Sequence, residues 1–234
     1  MIFDTHAHYT DARFDEDREE LLAGMKARGV GEIVEVGASI QSTKDAVNLA
    51  ESHDNIYAAV GVHPSDISGL NEETFAWLKE QASLPKTVAI GEIGLDYYWD
   101  KEPEVQNAQR YWFRRQMELA RETNLPVIIH SRDAAADTME VMKAVHAEEI
   151  PGVIHCYSYS REMAQEFIND LFSTLRERML DLQYCKVVFV GGGAILLKRQ
   201  IETSGKVGTP FFVPKINANA DGYEYLYRIE TAGR

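Results

Sequence analysis

Short apolar runs alternate with longer amphipathic segments over the first two thirds of the chain. Six apolar runs can be distinguished, at residues 2–6, 32–36, 57–62, 87–92, 126–130 and 152–155. Between them lie five segments with helical spacing of apolar residues, at 14–28, 43–52, 72–81, 106–123 and 134–146. Strands that alternate with amphipathic helices are typical of a parallel sheet or barrel, so the pattern predicts an α/β fold.

The charge pattern changes near Ile168. Residues 1–168 carry 30 acidic and 15 basic side chains, a net charge of -15, whereas residues 169–234 carry 7 and 9, a net charge of +2. Past this point the pattern predicts a helix, a strand, a glycine triplet, a short helix and a strand, at residues 171–183, 187–190, 191–193, 195–201 and 211–213. We therefore predict two regions, 1–168 and 169–234.

Composition and charge exclude several classes of protein. The 234 residues are 45% hydrophobic and 26% charged, which is typical of globular chains and excludes disordered and collagenous ones. The net charge of -13 disfavours a broad nucleic-acid track, because affinity for the phosphate backbone comes mostly from clustered Lys and Arg. A small, metal-assisted contact with nucleic acid stays compatible with it.

The two cysteines, Cys156 and Cys185, exclude a disulfide framework and do not have the spacing of a zinc site. The opening segment does not have the pattern of a signal peptide, and no apolar run approaches the roughly 20 residues of a membrane span. We expect reduced thiols, a cytoplasmic location and no membrane partner.

Side chains that bind metals stand at or just past the ends of five apolar runs: His6, His8, His63, Glu92, His130 and His155. The carboxyl ends of the strands of a parallel barrel meet on one face, where active sites are built. Imidazole and carboxylate ligands suit Zn, Mn, Ni or Fe, and oxygen ligands also accept Mg. Glu92 is suited to bridge two ions, and a metal pair would activate water without a protein nucleophile.

The other polar residues near the strand ends leave alternatives open. A single histidine at a strand end is more often an ordinary polar residue, but five of the seven histidines lie there, which favours a shared site. Asp96 is expected to orient the loop or cap the next segment. Arg132 fits a phosphate clamp or a surface salt bridge equally well.

Five motifs in series resemble the TatD family of metal-dependent deoxyribonucleases, over residues 1 to about 168. They are Asp4-Thr5-His6-Ala7-His8, Gly61-Val62-His63-Pro64, Ile90-Gly91-Glu92-Ile93-Gly94-Leu95-Asp96, Leu125-Pro126-Val127-Ile128-Ile129-His130-Ser131-Arg132 and Gly152-Val153-Ile154-His155-Cys156. The resemblance implies a TIM-type barrel of the amidohydrolase-like group. It also implies one or two divalent ions (Mg, Mn or Zn) that cleave phosphodiester bonds, with DNA or another phosphodiester as substrate.

The resemblance also implies roles for individual residues. Metal ligands are implied at His6, His8, Glu92, His130 and His155. His63 is implied to contact the substrate phosphate, and Glu92 and His63 are the implied catalytic residues. Arg132 is the further candidate for substrate binding.

The chain departs from the family pattern after residue 168. The family continues with a seventh and an eighth strand and then Glu-Thr-Asp-Ala-Pro, which is absent here. The resemblance implies that the missing Asp binds metal and accepts a proton, so we expect weakened activity. Asp221 is the only late Asp beyond a strand-like run, but Asp-Gly is first a turn signal.

The tail resembles a different family, the actin-like plasmid-segregation ATPases of ParM type. The resemblance rests on residues 186–197, with the glycine triplet, and on residues 217–224. It implies a contact with adenosine, but no counterpart of the phosphate loops is present, so ATP is not expected as a partner.

The fold expected is an α/β barrel of TIM type, incomplete after its sixth strand and joined to an actin-like fragment. In an alternative, the tail packs as substitute last strands. Open sheet edges favour association, so an oligomer is a further expectation. A metal-dependent deoxyribonuclease is the leading function; an inactive hybrid remnant and a nucleotide-binding fragment are the alternatives.

Overall fold

A computed structural model describes residues 2–155, 159, 186–189, 198–205 and 207–212 of the chain. The chain forms two compact units, the larger of which spans Asp4–Ser158. The boundary expected at residue 168 stays a prediction, because it lies outside the described residues. None of the described helices combines the length and the apolar character that a membrane span needs.

The larger unit alternates strands and helices as the apolar pattern predicts. Its strands are β1 (Ile2–Ala7, which belongs to this unit from Asp4 onward), β2 (Val30–Val36), β3 (Ile56–Val60), β4 (Thr87–Asp96), β5 (Val127–Arg132) and β6 (Gly152–His155). Its α-helices are α1 (Arg18–Met25), α2 (Ile40–Ser52), α3 (Glu72–Gln81), α4 (Pro103–Thr123) and α5 (Ala135–Ala144). Short 3-10 helices occupy Ala12–Phe14, Lys26–Arg28, Pro64–Gly69 and Ala147–Glu149.

Local sequence signals set the ends of several helices. Ser39 and Asn71 form capping boxes at the starts of α2 and α3, each satisfying a backbone N–H that the first turn leaves unpaired. Pro103 opens α4 at a position where the missing N–H costs nothing. Asn124 ends α4 in the left-handed conformation that Asn tolerates.

The six strands form one sheet in chain order, from β1 to β6, and the parallel strands make a half-barrel. In the β4–β5 pair, Gly94 lies opposite His130 and Asp96 lies opposite Arg132. This register places the polar residues at the ends of the two strands side by side. The expected α/β barrel architecture with six strands is therefore confirmed. β4 is longer than its apolar run, because it continues through Gly94 to Asp96.

The core lies between the central strands and the helices. Ile33, Ile56, Ile90 and Ile93 are fully buried on β2, β3 and β4. The apolar face of α4 packs against the same cluster through residues that include Phe113. Burying a side chain of this size contributes about 1.5–3 kcal/mol to folding.

The described part of the tail contains β7 (Lys186–Phe189), a short helix α6 (Lys198–Thr203) and β8 (Thr209–Phe212). β7 and β8 pair in parallel and form a sheet of two strands. The two strands and the short helix predicted here are therefore present. The alternative in which these strands pack as substitute last strands of the barrel stays a prediction. The predicted helix at 171–183 and the glycine triplet lie outside the described residues.

Candidate metal centre

Side chains from separate strand ends converge on the Glu92 carboxylate. His6 Nε2 lies 3.4 Å from Glu92 Oε2, and His130 Nδ1 lies 3.0 Å from Glu92 Oε1. Donor atoms of two three-residue groups lie within 4.8 Å of one another: His6 with Glu92 and His155, and His63 with Glu92 and His130. Glu92 belongs to both groups, in the shared position that the sequence suggested for it.

Glu92 is buried, and burial alone would favour its protonated form. The hydrogen bonds with His130 and His6 outweigh that burial and hold the pKa of Glu92 below its usual range. The side chain is therefore an anion at neutral pH. A buried anion among imidazoles is a suitable ligand for a divalent cation.

His8, directly after β1, adds a further imidazole beside His6. Its Nε2 lies 3.2 Å from Nε2 of His6, and its Nδ1 lies 3.0 Å from the carbonyl oxygen of Val36. A carbonyl can only accept, so Nδ1 of His8 must carry the proton when the ring is neutral, and Nε2 is then the ring nitrogen with the lone pair. Metal-binding histidines commonly use one ring nitrogen in this way to fix the other.

His63 has the opposite arrangement. It caps the 3-10 helix Pro64–Gly69, and its Nδ1 accepts a hydrogen bond from the backbone N–H of Ser65, at 3.2 Å. In the neutral ring Nε2 then carries the proton and can donate it to a ligand oxygen. Burial and the neighbouring His130 lower the pKa of His63 to about 4, which keeps the ring neutral at physiological pH.

His130 lies between two carboxyl groups. Nε2 of His130 is 3.2 Å from Asp96 Oδ2, on the side of the ring opposite Glu92. Burial opposes protonation, but Glu92 and Asp96 together raise the pKa of His130 above its usual value. Asp96 Oδ1 accepts from the backbone N–H of Tyr98 at 3.0 Å, so Asp96 orients the following loop, as expected.

His155 stands at the end of β6 and stacks on His6. The ring centroids are 3.8 Å apart and the rings are nearly parallel, at 6°. Burial and the neighbouring His6 lower the pKa of His155, which favours the neutral ring that metal binding requires.

Arg132 follows His130 by two residues on β5. Its guanidinium carbon lies 3.9 Å from the centroid of the Tyr98 ring. Within the described part of the chain, no carboxylate forms an ion pair with Arg132. The salt-bridge alternative for Arg132 therefore has no support there.

Glu35 is a polar residue of the site region that the sequence analysis did not single out. It lies on β2 with 0% exposure, and its two carboxyl oxygens accept from the backbone N–H groups of Tyr9 and Thr10, each at 2.8 Å. Arg18 binds the other side of this turn, through the carbonyl of Tyr9 at 2.6 Å. The turn that directly follows His8 is thus held from both sides.

Two buried glutamines of α4 hold the strand ends. Gln116 accepts from the N–H of Val62 at 2.8 Å and donates to its carbonyl at 3.1 Å, directly before His63. Gln109 pairs in the same way with the backbone of Asp96, at 3.0 and 3.2 Å. Their spacing of seven residues places both amides on one face of the helix, a signal that the sequence carries in its helical period.

Gly94 allows β4 and β5 to approach each other beside His130. Its φ is +143°, and a Cβ at this position would lie 1.9 Å from the carbonyl oxygen of His130. Any other residue would therefore push apart the strands that carry Asp96 and His130.

The donor set fits a divalent metal ion. Two ligand nitrogens with bonds of about 2.1 Å to one ion are separated by roughly 3.0–3.4 Å, and Nε2 of His6 and His8 are 3.2 Å apart. A buried carboxylate among several imidazoles is a donor set that divalent metal ions bind.

Comparison with known proteins places this arrangement in a family. The family model described as TatD-related DNase matches residues 3–177. An uncharacterised metal-dependent hydrolase, YabD, from Bacillus subtilis is 46% identical over 166 residues, which cover 71% of this chain and 64% of the relative. The 3'-5' ssDNA/RNA exonuclease TatD from Cronobacter sakazakii is 34% identical, over 70% of this chain and 62% of the relative. The chain therefore spans less than two thirds of the length of these curated relatives.

Solved structures agree with the sequence matches. The TatD homologue YjjV from Escherichia coli K12 superposes with a TM-score of 0.64 at 30% identity, covering 72% of this chain and 64% of the homologue. A TatD-family hydrolase from Entamoeba histolytica superposes with a TM-score of 0.63 at 21% identity, covering 96% of this chain and 79% of the hydrolase. At this low identity the likeness shows only that the two chains share a fold.

These comparisons do not support the resemblance of the tail to actin-like ATPases. Asp221 and the glycine triplet also lie outside the described residues. The family match instead covers the part of the chain that holds the candidate metal centre, from His6 to His155. The chain belongs to the TatD family of metal-dependent hydrolases.

Proposed function

We propose that the protein is a divalent-metal-dependent phosphodiesterase that cleaves DNA. The observation that carries the proposal is the pair of donor groups that share the buried Glu92 carboxylate. The relatives of the chain, which include a single-stranded DNA and RNA exonuclease, support this choice of substrate class.

The proposed ligands of one or two ions are the five side chains His6, His8, Glu92, His130 and His155. When bound, a divalent ion such as Mn, Mg or Zn would polarise the phosphoryl group and lower the pKa of water. Glu92 contributes a negative charge that is already present at neutral pH, since its pKa is lowered. Val36 fixes the His8 ring with Nε2 available.

His63 and Arg132 are the proposed contacts with the substrate phosphate. The neutral His63 ring presents an Nε2–H donor, because Ser65 occupies its Nδ1. Arg132 presents N–H groups at the edge of its guanidinium while its face contacts Tyr98. Together they would hold a non-bridging oxygen of the phosphodiester.

The test is hydrolysis of methyl p-nitrophenyl phosphate in Mn²⁺ by the wild-type chain and by Glu92→Gln. Gln keeps the size of the side chain but removes the charge shared by both donor groups. We expect turnover in the wild type and a loss of about 100-fold or more in the variant, the size of effect produced by removing one major electrostatic contact.

The matched control is Glu80→Gln, the same substitution at an exposed position near the end of α3. It should keep wild-type turnover. Equal activity of Glu92→Gln and Glu80→Gln would contradict the proposed metal centre, and metal binding without any hydrolysis by the wild type would contradict the proposed activity.

A further inference from the structure

An exposed aromatic pair lies beside the candidate metal centre. Tyr98 is 43% exposed and Trp99 is 69% exposed, although aromatic rings of this size are usually more buried. Their ring centroids are 4.6 Å apart in an edge-to-face arrangement. The pair lies one residue past the end of β4, the strand that carries Glu92 and Asp96.

The backbone beneath the pair is firmly held. Asp96 Oδ1 accepts from the N–H of Tyr98 at 3.0 Å, and the buried Gln109 amide bonds to the Asp96 backbone and, at 2.8 Å, to Asp100 Oδ2. The segment is therefore fixed at both ends while its aromatic rings face outward. Rings that are held in place lose little conformational entropy when a ligand stacks on them.

Arg132 links the aromatic pair to the site. Its guanidinium carbon is 3.9 Å from the Tyr98 ring centroid and 5.7 Å from that of Trp99. Arg132 and His130 are two residues apart on β5, so their side chains project from the same face of the strand, about 7 Å apart along it. The stacked face of a guanidinium leaves its N–H edge free to bind an anion.

We propose that Tyr98, Trp99 and Arg132 form a subsite for the nucleotide next to the scissile phosphate. An unpaired base would stack on the aromatic rings, and Arg132 would bind the phosphate that joins this nucleotide to the cleaved one. This inference rests on the proposed function and adds a specific binding site for an unstacked base. Base stacking on aromatic side chains tolerates any sequence, because every base has a π-face.

The charge of the protein supports a local contact of this kind. With a net charge of -13, the chain has no general attraction for a polyanion, so affinity for a strand must come from a few specific groups. Arg132 is such a group, because no carboxylate of the described residues neutralises it.

The experiment measures binding of two strands of equal length and charge, phosphorothioate hexathymidylate and the corresponding abasic strand, in Mn²⁺. Phosphorothioate linkages resist cleavage. We expect Trp99→Ala and Tyr98→Ala each to weaken thymidylate binding by about tenfold and to leave abasic binding unchanged. Arg132→Ala should weaken the binding of both strands.

The control is Tyr111→Ala. Tyr111 on α4 is also an exposed tyrosine beside an arginine, but that arginine, Arg115, pairs with Glu72 at 2.9 Å. The Tyr111→Ala variant should bind both strands as tightly as the wild type does. Equal effects of Trp99→Ala on the two strands, or no effect on either, would overturn the proposal.

Failure of the subsite and failure of the proposed function give different results. Turnover of methyl p-nitrophenyl phosphate reports on the metal centre and should be unchanged in the control variant Tyr111→Ala. A wild type that fails to hydrolyse this diester contradicts the function, whereas the comparison of thymidylate and abasic strands still decides the subsite.

Discussion

His8 and His63 are the same kind of residue with opposite hydrogen-bonding arrangements. The Val36 carbonyl forces the proton of neutral His8 onto Nδ1, whereas the Ser65 N–H forces the proton of neutral His63 onto Nε2. One ring thus offers a lone pair to the site and the other offers a donor. The sequence predicts both histidines at strand ends, but the tautomer depends on backbone groups that only the folded chain brings near.

Glu35 shows which residues a sequence pattern misses. It lies in an apolar strand, where a buried charged residue is not expected. No sequence motif near it indicates which group its carboxylate binds. Its partners, the N–H groups of Tyr9 and Thr10, are 26 and 25 residues away. Such a contact follows from the pairing of β1 with β2 and cannot be derived from spacing alone.

Glu35→Gln is expected to destabilise the protein by about 2 kcal/mol, because the amide NH₂ would face a backbone N–H and leave it unsatisfied. The measurement is urea unfolding of the metal-free protein. Glu80→Gln, at an exposed position, should change stability by less than about 0.5 kcal/mol. Equal unfolding midpoints for the two variants would show that the Glu35 contacts contribute nothing to stability.

Helix α4 supports the candidate site by binding the backbone at the ends of two strands. Gln116 and Gln109 each make a two-point amide contact with a strand end, at Val62 and Asp96. The helix itself was predicted from its apolar stripe. The role of its glutamines was not, because a buried glutamine is recognised only when its backbone partners are known.

Gln116→Leu tests this support of the β3 end. The substitution keeps the volume but leaves the N–H and carbonyl of Val62 buried without partners, so we expect a loss of about 2–4 kcal/mol in the free energy of unfolding. Urea unfolding measures it. Gln41→Leu, at an exposed position on α2, is the control; a loss of similar size there would contradict the explanation.

A second contact joins α4 and α5 to the end of β4. The Tyr97 hydroxyl donates to Asp137 Oδ2 at 2.7 Å, and Arg110 binds both groups. Burial and the Asp137 carboxylate raise the pKa of Tyr97 to about 12, with Arg110 opposing. The unfolded chain loses this proton near pH 10, so stability should fall as the pH rises from about 10 to 12.

The tyrosinate absorbance at 295 nm checks this pKa. At pH 11 the folded wild type and the folded Tyr97→Phe variant should show the same number of tyrosinates, because Tyr97 still holds its proton. One additional tyrosinate in the wild type at this pH would contradict the raised pKa. Asp137→Asn should shift the ionisation of Tyr97 to lower pH.

For the molecule as a whole, the sequence is informative where strands and helices alternate. The parallel order of β1 to β6 follows from that alternation, and it brings the carboxyl ends of the strands to one edge. Convergence of His6, Glu92 and His130 could therefore be predicted from spacing. The residues past 168 follow a different pattern, and their predicted relation to the barrel stays a prediction.

In the proposed function, the strand-end histidines and Glu92 form a metal centre in the folded chain. The most direct measurement is thermal unfolding of the wild type and of Glu92→Gln, with and without Mn²⁺. A ligand that binds only the folded state at 100 times its Kd adds about 2.7 kcal/mol, or roughly 5–10 °C for a chain of this length. We predict an upward shift of this size in the wild type and little shift in Glu92→Gln; equal shifts, or none in the wild type, would contradict the proposed metal centre.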